Sequence, residues 1–542
     1  MPSHPVRFSP SGRSTIAAEG SSILRAAELA GEPVRAECGG RGACGRCLVR
    51  ILEGQVPEYR VLRRDSGFPQ VLACLTPVHG PLTVEPLVEA QLPKLVSSDR
   101  YIGTNALSAW APWPLELAPL VECREPEDLG VAFDIGTTTL RLLLIRLSDG
   151  VIVGEAGAYN PQIAKGADVI SRIVAAEKGG LGELASAIRL AVVSMIGEAA
   201  AGGFDPGRIR GYMVAGNVTM IHLLLGEDPS GIRRVPSEPR ALAFPPVDAA
   251  GLGWPGRGAP VHSVPGAGGW VGGDILAGAV RAGFSRAAET ALYVDLGTNG
   301  EIVFGNADFA LACACSAGPA FEGGGIRCGM RADRGAVDGA SIDGESGAME
   351  LSLIGGGRVR GVCGSGLIAL ADALFRAGWI DRGGRLTGRV PGERRMEGKW
   401  GAAIALSADQ RVALWERDLA SLIRAKAAVF AGIRSLVDSL GPGGPSIERA
   451  YVSGNFGRYL NLPAAVGIGL LPDIPLGRYG YIDNGSLEGA ALSLLSREFR
   501  DEIAAYLTRV TYVDLADLAG YMDEFVGASF LPHTSPDLLR MG

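Results

Sequence analysis

Four cysteines near the start of the chain have a spacing that can do redox chemistry. Cys38-Gly-Gly-Arg-Gly-Ala-Cys44-Gly-Arg-Cys47, followed by Cys74, spells C-x5-C-x2-C-x26-C. Three thiolates on one glycine-rich loop, with a fourth arriving from elsewhere, supply the four soft ligands of a two-iron cluster. The small residues between them let backbone amides approach the sulfurs. A four-cysteine zinc site is the competing reading, but such sites usually carry two C-x2-C knuckles, and this chain has one. The pattern points to a [2Fe–2S] centre held by Cys38, Cys44, Cys47 and Cys74. The other cysteines, Cys123, Cys313, Cys315, Cys328 and Cys363, lack partner spacing and read as small buried hydrophobes.

A second chemistry lies in a pattern that occurs twice. Val131-Ala-Phe-Asp-Ile-Gly-Thr-Thr-Thr139 and Tyr293-Val-Asp-Leu-Gly-Thr-Asn-Gly-Glu301 are each an apolar strand, an Asp-x-Gly-Thr turn and the start of a second strand. Glycine in such a turn lets backbone amides face phosphate oxygens, and the threonine adds a hydroxyl donor. The aspartates, Asp134 and Asp295, suit Mg2+ bound through water, because that ion keeps several waters and takes few carboxylates. One such hairpin is commonly just a turn, whereas two facing each other across a cleft would clamp a triphosphate. No G-x-x-x-x-G-K-[ST] sequence occurs, which excludes a P-loop. The five histidines are scattered and suggest neither a triad nor a metal cluster.

These residues need elements to position them. Residues 1–92 read as one unit: a hairpin around Ser9–Gly12, a short helix capped by Ser21 or Ser22 and ended by Gly31, the cysteine loop, and strands at 48–52 and 82–84. Residues 93–127, rich in proline and tryptophan and ending in a charged run, read as a linker. From there apolar strands alternate with amphipathic helices, the mark of an α/β fold. The two hairpins lie 161 residues apart, from Asp134 to Asp295, which suggests a duplicated half: 128–290, then 291–542. Long helices are expected over about 167–200 and 413–440.

Composition fits this division. At 542 residues the chain is long enough for roughly three to four domain-sized units. Hydrophobic residues make up 47% and charged residues 20%, an ordinary globular balance. The formal charge of −7 argues against nucleic acid, where a basic footprint supplies most of the affinity. No apolar run reaches the length of a membrane span, the first residues lack the apolar core of a signal peptide, and a cytoplasmic location is expected. Glycine, 79 of 542, is about twice its usual ~7% and falls in clusters suited to tight turns.

The cysteine loop is one residue longer than the plant-type spacing and resembles the adrenodoxin-like variant of the β-grasp ferredoxins. The duplicated hairpins resemble the actin, hexokinase and sugar-kinase superfamily, ribonuclease H-like ATPases whose two halves each supply a phosphate turn. The whole chain resembles the ATP-dependent reductive activators of corrinoid proteins. Tyr159-Asn-Pro-Gln162, Gly166–Arg172, Ala215–Met220, Gly272-Gly-Asp274, Ser316–Glu322, Cys363-Gly-Ser-Gly366, Ser453–Gly457 and Phe530-Leu-Pro-His533 carry that resemblance with the hairpins.

The resemblance implies roles. Asp134, Gly136, Thr137 and Thr138 would form the first phosphate hairpin; Asp295, Gly297, Thr298 and Asn299 the second. Gly216 and Asn217 would line the cleft, Gly454 and Asn455 the adenosine turn, and Gly364 and Ser365 an anion-attracting helix start. Glu301 or Glu322 would orient the attacking water. Lys426 reads as a snorkelling lysine rather than an adenine contact. The implied activity is reduction of a Co(II) corrinoid protein to Co(I), the cluster delivering the electron and ATP, with Mg2+, driving an uphill transfer. Cobalamin would belong to the partner, a corrinoid methyltransferase protein, and a low-potential donor would refill the cluster; a homodimer is left open. Competing readings are an activator of another low-potential metalloenzyme and a nucleotide-gated redox sensor. The ligand assignment predicts that serine at Cys38, Cys44, Cys47 or Cys74 lowers the iron content from two per chain, while serine at Cys313, Cys315 or Cys363 leaves it intact; zinc in the purified protein would overturn it.

Overall fold

Apolar alternation shapes the N-terminal unit. In the strand Ser3–Phe8, Val6 and Phe8 are fully buried while Pro5 and Arg7 face outward, the period-2 pattern of a half-buried strand. The computed structural model describes residues 2–32, 34, 47–65, 67–87, 101–166, 168–398, 401–454 and 460–542. It places this strand in a six-stranded sheet ordered Ser14–Ala18, Ser3–Phe8, Leu82–Pro86, Leu48–Glu53, Phe68–Leu72, Val61–Asp65. The helix Ile23–Ala30 starts where Ser22 Oγ accepts from the Arg25 amide at 3.1 Å and stops at Gly31, φ 65°. Its Ile23, Leu24, Ala26 and Ala27 join the core that the sheet builds. This is the β-grasp arrangement. The pair Val61–Asp65 and Phe68–Leu72 escapes the sequence reading because Arg63, Arg64 and Pro69 interrupt the alternation.

Beyond it, one topology is built twice. Leu129–Ile135, Thr139–Arg146 and Ile152–Tyr159 pair antiparallel in succession, with Ile209–Gly216 parallel to the first and Pro260–Ser263 beyond it. Ala291–Leu296, Gly300–Gly305 and Ala310–Cys315 repeat the antiparallel trio, with Arg449–Ser453 and Tyr479–Tyr481 parallel on the same side. The registers correspond as well: Ala215 lies opposite Asp134, and Ser453 opposite Asp295. Duplication therefore extends to the strands that follow each hairpin.

Two helices join the halves. Gly273–Arg281 follows Pro260–Ser263 of the first sheet and Gly485–Leu495 follows Tyr479–Tyr481 of the second. They pack together in a core shared by Ala132, Leu143 and Met213 from one sheet and Tyr293, Val303 and Ala312 from the other. A Cβ on Gly278 or Gly485 would lie 2.1 or 2.3 Å from the Tyr293 hydroxyl, and one on Gly489 would lie 2.6 Å from the Ala277 carbonyl. No side chain fits at these positions. Arg281 Nε donates to Glu488 Oε2 at 2.8 Å across the same crossing.

The long helices differ in detail from expectation. The first is Val169–Ala175, a π-turn at Ala176–Gly180 where Gly179 takes φ 91°, and then Leu181–Ala199. The segment Val169–Gly202 is long and apolar enough, by length and composition, to match a membrane span; here Leu184, Ile188, Val192, Met195 and Ile196 are buried against the first sheet. The second runs Glu416–Asp438, preceded by a strand Ala413–Trp415.

The linker expected over 93–127 needs correction from residue 101 onward. Asn105 caps a helix Ala106–Trp110. Amides of Gly103 and Ala106 donate to the carbonyls of Ile152 and Gly150, and those of Ala118 and Leu120 to Leu495 and Leu494. Trp113 stacks on Phe499 with centroids 6.1 Å apart, beneath the Arg286 guanidinium. Proline and tryptophan, the residues that mark a linker by composition, here rivet the segment to both halves. A fragment beginning at Tyr101 is therefore expected to melt at least about 4 °C above one beginning at Leu129, since each large side chain it buries is worth about 1.5–3 kcal/mol; equal melting temperatures would show the segment to be a passenger.

Candidate nucleotide cleft and cluster cysteines

Two strand ends and two helix starts meet at one place. The turns after Leu129–Ile135 and Ala291–Leu296 face the first residues of Gly273–Arg281 and Gly485–Leu495 across a solvent-open cleft. Asp134, Gly136, Thr137, Thr138 and Asn217 line it from one half. Asp295, Gly297, Thr298, Asn299, Glu301 and Gly454 line it from the other. The structure thus gathers in one cleft residues that the sequence marked at widely separated positions. It adds Thr139, Asp274, Ile275, Asn484 and Ser486, of which the sequence offered a cue for Thr139, at the end of the first hairpin motif, and for Asp274, in Gly272-Gly-Asp274.

Glycine is required at the turns. The Gly136 amide donates to the Thr139 carbonyl at 2.9 Å, and a Cβ there would sit 2.7 Å from that oxygen. Gly454 has φ 110°, and its Cβ would be 2.6 Å from the Leu296 carbonyl. Side chains behind the first turn hold its carbonyls: Asn160 Nδ2 donates to Gly136 O and the Asn160 amide to Thr138 O, both at 2.9 Å. Asn217 Nδ2 donates to Thr137 Oγ1 at 3.2 Å. The halves also touch directly. Thr138 Oγ1 and Thr298 Oγ1 lie 2.8 Å apart, and both donate to Glu322 Oε2 at 2.9 Å.

Five carboxylates line the cleft: Asp134, Asp274, Asp295, Glu301 and Glu322. No lysine or arginine joins them among the described lining residues. Burial, reinforced by the neighbouring acids, pushes Asp274 up to about 8 and Asp295 up to about 7. Glu301 rises well above the usual range for the same reasons. Asp134 is raised by burial, against the pull of Asn484 Nδ2 at 2.9 Å and Ser486 Oγ at 2.7 Å. The cationic influence felt there is that of Arg141, which also pulls on Asp134 without lining the cleft. No three His, Cys, Asp or Glu side chains among the described residues converge to metal distance, so a divalent ion would be carried largely by phosphate and water.

Several expected residues lie elsewhere. Gly216 sits one step behind Asn217. Gly364 and Ser365 do not line the cleft; a Cβ on Gly364 would meet the Phe321 carbonyl at 1.7 Å and one on Gly366 the Val337 carbonyl at 1.9 Å. Gly364 permits the helix Gly364–Arg376 to press against the segment that carries Glu322, and Gly366 lets it lie against Val337. Lys426 does not snorkel: it is fully buried, donates to Pro532 O at 2.5 Å and Gly469 O at 3.4 Å, and burial pulls it down to about 7. Asn455 lies outside the described residues.

Cys38 and Cys44 lie outside the described residues too. The Cys47 and Cys74 sulfurs are 3.2 Å apart, and that contact lowers the Cys47 thiol to about 7. Two converging sulfurs, one already leaning toward thiolate, fit a pair of ligands to one iron. By contrast, burial pushes Cys313 well up and Cys315 up to about 12, which suits inert core thiols.

Three family models match in series: a 2Fe-2S iron-sulfur cluster binding domain over residues 6–79, the RACo middle region over 129–287, and the C-terminal domain of RACo, the ASKHA domain, over 289–541. The corrinoid activation enzyme RamQ of Eubacterium limosum is 28% identical over 92% of this chain and 94% of its own. A [Co(II) methylated amine-specific corrinoid protein] reductase of Methanosarcina barkeri is 25% identical over 44% of this chain and 45% of its own. Among solved structures, a reductive activator for corrinoid, iron-sulfur protein is 34% identical, covers 99% of both chains and superposes with a TM-score of 0.73.

The acid cluster predicts a pH dependence. Where folding raises a carboxyl pKa, the folded chain holds protons that the unfolded chain has released, so stability falls as pH climbs from about 4 toward 8. Asp274→Asn should raise the unfolding free energy of the nucleotide-free protein at pH 8 by at least about 1.4 kcal/mol, the value of one pKa unit, with a much smaller gain at pH 5. Equal gains at both pH values in a denaturant titration would show that charge is not the cause.

Proposed function

We propose, for a chain that belongs to the family of reductive activators of corrinoid proteins, that it returns the cobalt of a partner corrinoid protein from Co(II) to Co(I), coupling the transfer to ATP bound in the cleft. The observation that carries this reading is the joining, in one chain, of a cluster-type cysteine loop to a cleft lined by two facing Asp-x-Gly-Thr turns. The full-length likeness to corrinoid activators supports it.

Cys38, Cys44, Cys47 and Cys74 would hold the [2Fe–2S] centre, which supplies a one-electron carrier with a low potential, near −400 mV for plant-type ferredoxins. In the cleft, the Thr137 and Thr138 turn and the Thr298 and Asn299 turn would grip the phosphates from opposite sides. Asp134 and Asp295 would carry Mg2+ through its waters, and the charge of that ion would offset the five acids. Glu301, buried beside Asp295, would hold the attacking water. Asn217, Gly454 and Asn455 would border the nucleotide, as would Gly216 through its neighbour.

ATP can assist an uphill electron only if it binds two conformations unequally. The clasp of Glu322 on Thr138 and Thr298 is the contact a phosphate group must replace. Losing it frees the two halves to shift relative to one another, and the docked partner would sense that shift. The corrinoid stays with the partner, an external low-potential donor restores the cluster after each turnover, and the reaction belongs in the cytoplasm, where thiols stay reduced.

Asp295→Asn should slow ATP-dependent Co(I) formation by about 100-fold or more while leaving the visible spectrum of the cluster unchanged. The measurement is the rise of Co(I) absorption when the reduced protein meets a Co(II) corrinoid protein with and without ATP. Parental rates in the variant would remove the carboxylate from the mechanism, and an equal parental rate without ATP would remove the nucleotide.

A further inference from the structure

A charged side chain stands fully buried behind the cleft. It is Arg172, in the helix Val169–Ala175. Its Nε donates to Gly166 O at 3.0 Å and its Nη1 to Gln162 Oε1 at 3.3 Å. Gln162 is itself oriented, since its Nε2 donates to Leu184 O at 2.9 Å. The remaining arm, Nη2, donates to the carbonyl of Thr137 in the first phosphate turn. Among the described residues no carboxylate forms an ion pair with this guanidinium, though Asp168 favours its charged form. Burial lowers its pKa to about 9, so it remains charged at neutral pH.

A buried arginine is ordinarily paired with an acid, because an isolated charge in the interior is costly. Here the guanidinium is turned instead to the Gln162 side chain and to two backbone carbonyls, one of them in the phosphate turn. The geometry of a trans peptide explains what this does. A carbonyl and the amide that follows it point in opposite directions. Asn160 draws Gly136 O backward, which turns the Thr137 amide forward; Arg172 draws Thr137 O backward, which turns the Thr138 amide forward. Thr137 and Thr138 both line the cleft, and neither amide has an acceptor among the described residues. Two adjacent unpaired amides aimed at one concavity make an anion nest, and a full positive charge stands behind it.

We infer that Arg172 is a positioning residue for nucleotide phosphate: it holds the Thr137–Thr138 amides toward the cleft and supplies the fixed positive charge that the lining lacks. The inference rests on the reading of the cleft as an ATP site. It assigns the first turn's phosphate affinity to a residue that cannot touch the nucleotide. The consequence is selective, because a group that acts through phosphate matters more to ATP than to AMP.

The test compares Arg172→Met and Arg172→Lys with the parent in the full-length, cluster-loaded protein. Each is titrated by displacement of a fluorescent ATP analogue with MgATP, MgADP and AMP. Arg172→Met is expected to weaken ATP at least about tenfold, the worth of one charge-assisted hydrogen bond, while AMP stays within about twofold, with ADP between. Arg172→Lys keeps the charge but loses the fork and should fall between the parent and the Met variant. Should Arg172→Met fail to fold, judged by its melting curve, the Lys variant carries the test through the same ATP-over-AMP ordering. Losses equal for ATP and AMP would make Arg172 a purely structural clamp, and unchanged ATP affinity would remove it altogether. Binding of ATP by the parent makes these outcomes specific to Arg172, whereas a parent that binds no ATP overturns the cleft reading itself.

Discussion

The close crossing of Gly273–Arg281 with Gly485–Leu495 is the contact on which the rest of the body depends. Gly278, Gly485 and Gly489 leave room for the Tyr293 ring and the Ala277 backbone where any side chain would collide. The Arg281–Glu488 pair, nearly dry on the carboxylate side, ties the same crossing. Because each helix belongs to one half and packs against both sheets, the crossing carries the start of each helix into the opposite half's territory. Asn484 and Ser486 thereby reach Asp134 from the far half. Asp274 lines the same cleft, where its charge and those of Asp134 and Asp295 bear on one another. The cleft is an outcome of helix packing as much as of the two turns.

That arrangement concentrates acids where water is scarce. A site with raised carboxyl pKa values and no cationic side chain in its described lining favours protons or a divalent ion, and an anionic ligand enters only with compensation. On the proposed reading, Mg2+ brought by the nucleotide would be one source, and the amides of the first turn with the guanidinium buried behind them a second, built into the chain. The Glu322 carboxylate takes two threonine hydroxyls, one from each half, and on the proposed reading a phosphate would compete for the same donors. Coupling nucleotide to conformation needs a contact of this kind, since a ligand moves an equilibrium only by its unequal affinity for the two states.

The redox unit stands on a separate core. Its sheet and helix bury Val6, Phe8, Ile23, Val49, Val71 and Val84 among themselves, so this unit has a hydrophobic core of its own. The segment from Tyr101 to Val121, in contrast, is part of the body, laid across the first sheet's edge and the end of Gly485–Leu495. Composition misjudged it because proline and tryptophan serve equally in an extended tether and in a strap pressed onto a surface.

The local chemistry was legible in the amino-acid order. The cysteine spacing, the paired Asp-x-Gly-Thr turns, the capped helix after Ser22 and the duplicated strand pattern are short-range signals, each carried by a few adjacent residues. The strands Val61–Asp65 and Phe68–Leu72 stayed hidden because charge and proline broke their alternation. Gly364 and Ser365 read as an anion site because a glycine-rich helix start looks the same whether it faces a ligand or a neighbouring carbonyl. Asn484, Ser486, Asp274 and Arg172 became intelligible only in three dimensions. Their roles depend on hydrogen bonds spanning 350 residues from Asn484 to Asp134 and 35 from Arg172 to Thr137. Residue type and spacing specify which groups can do chemistry; which of them face one another is decided by how helices pack, and that is a property of the whole chain.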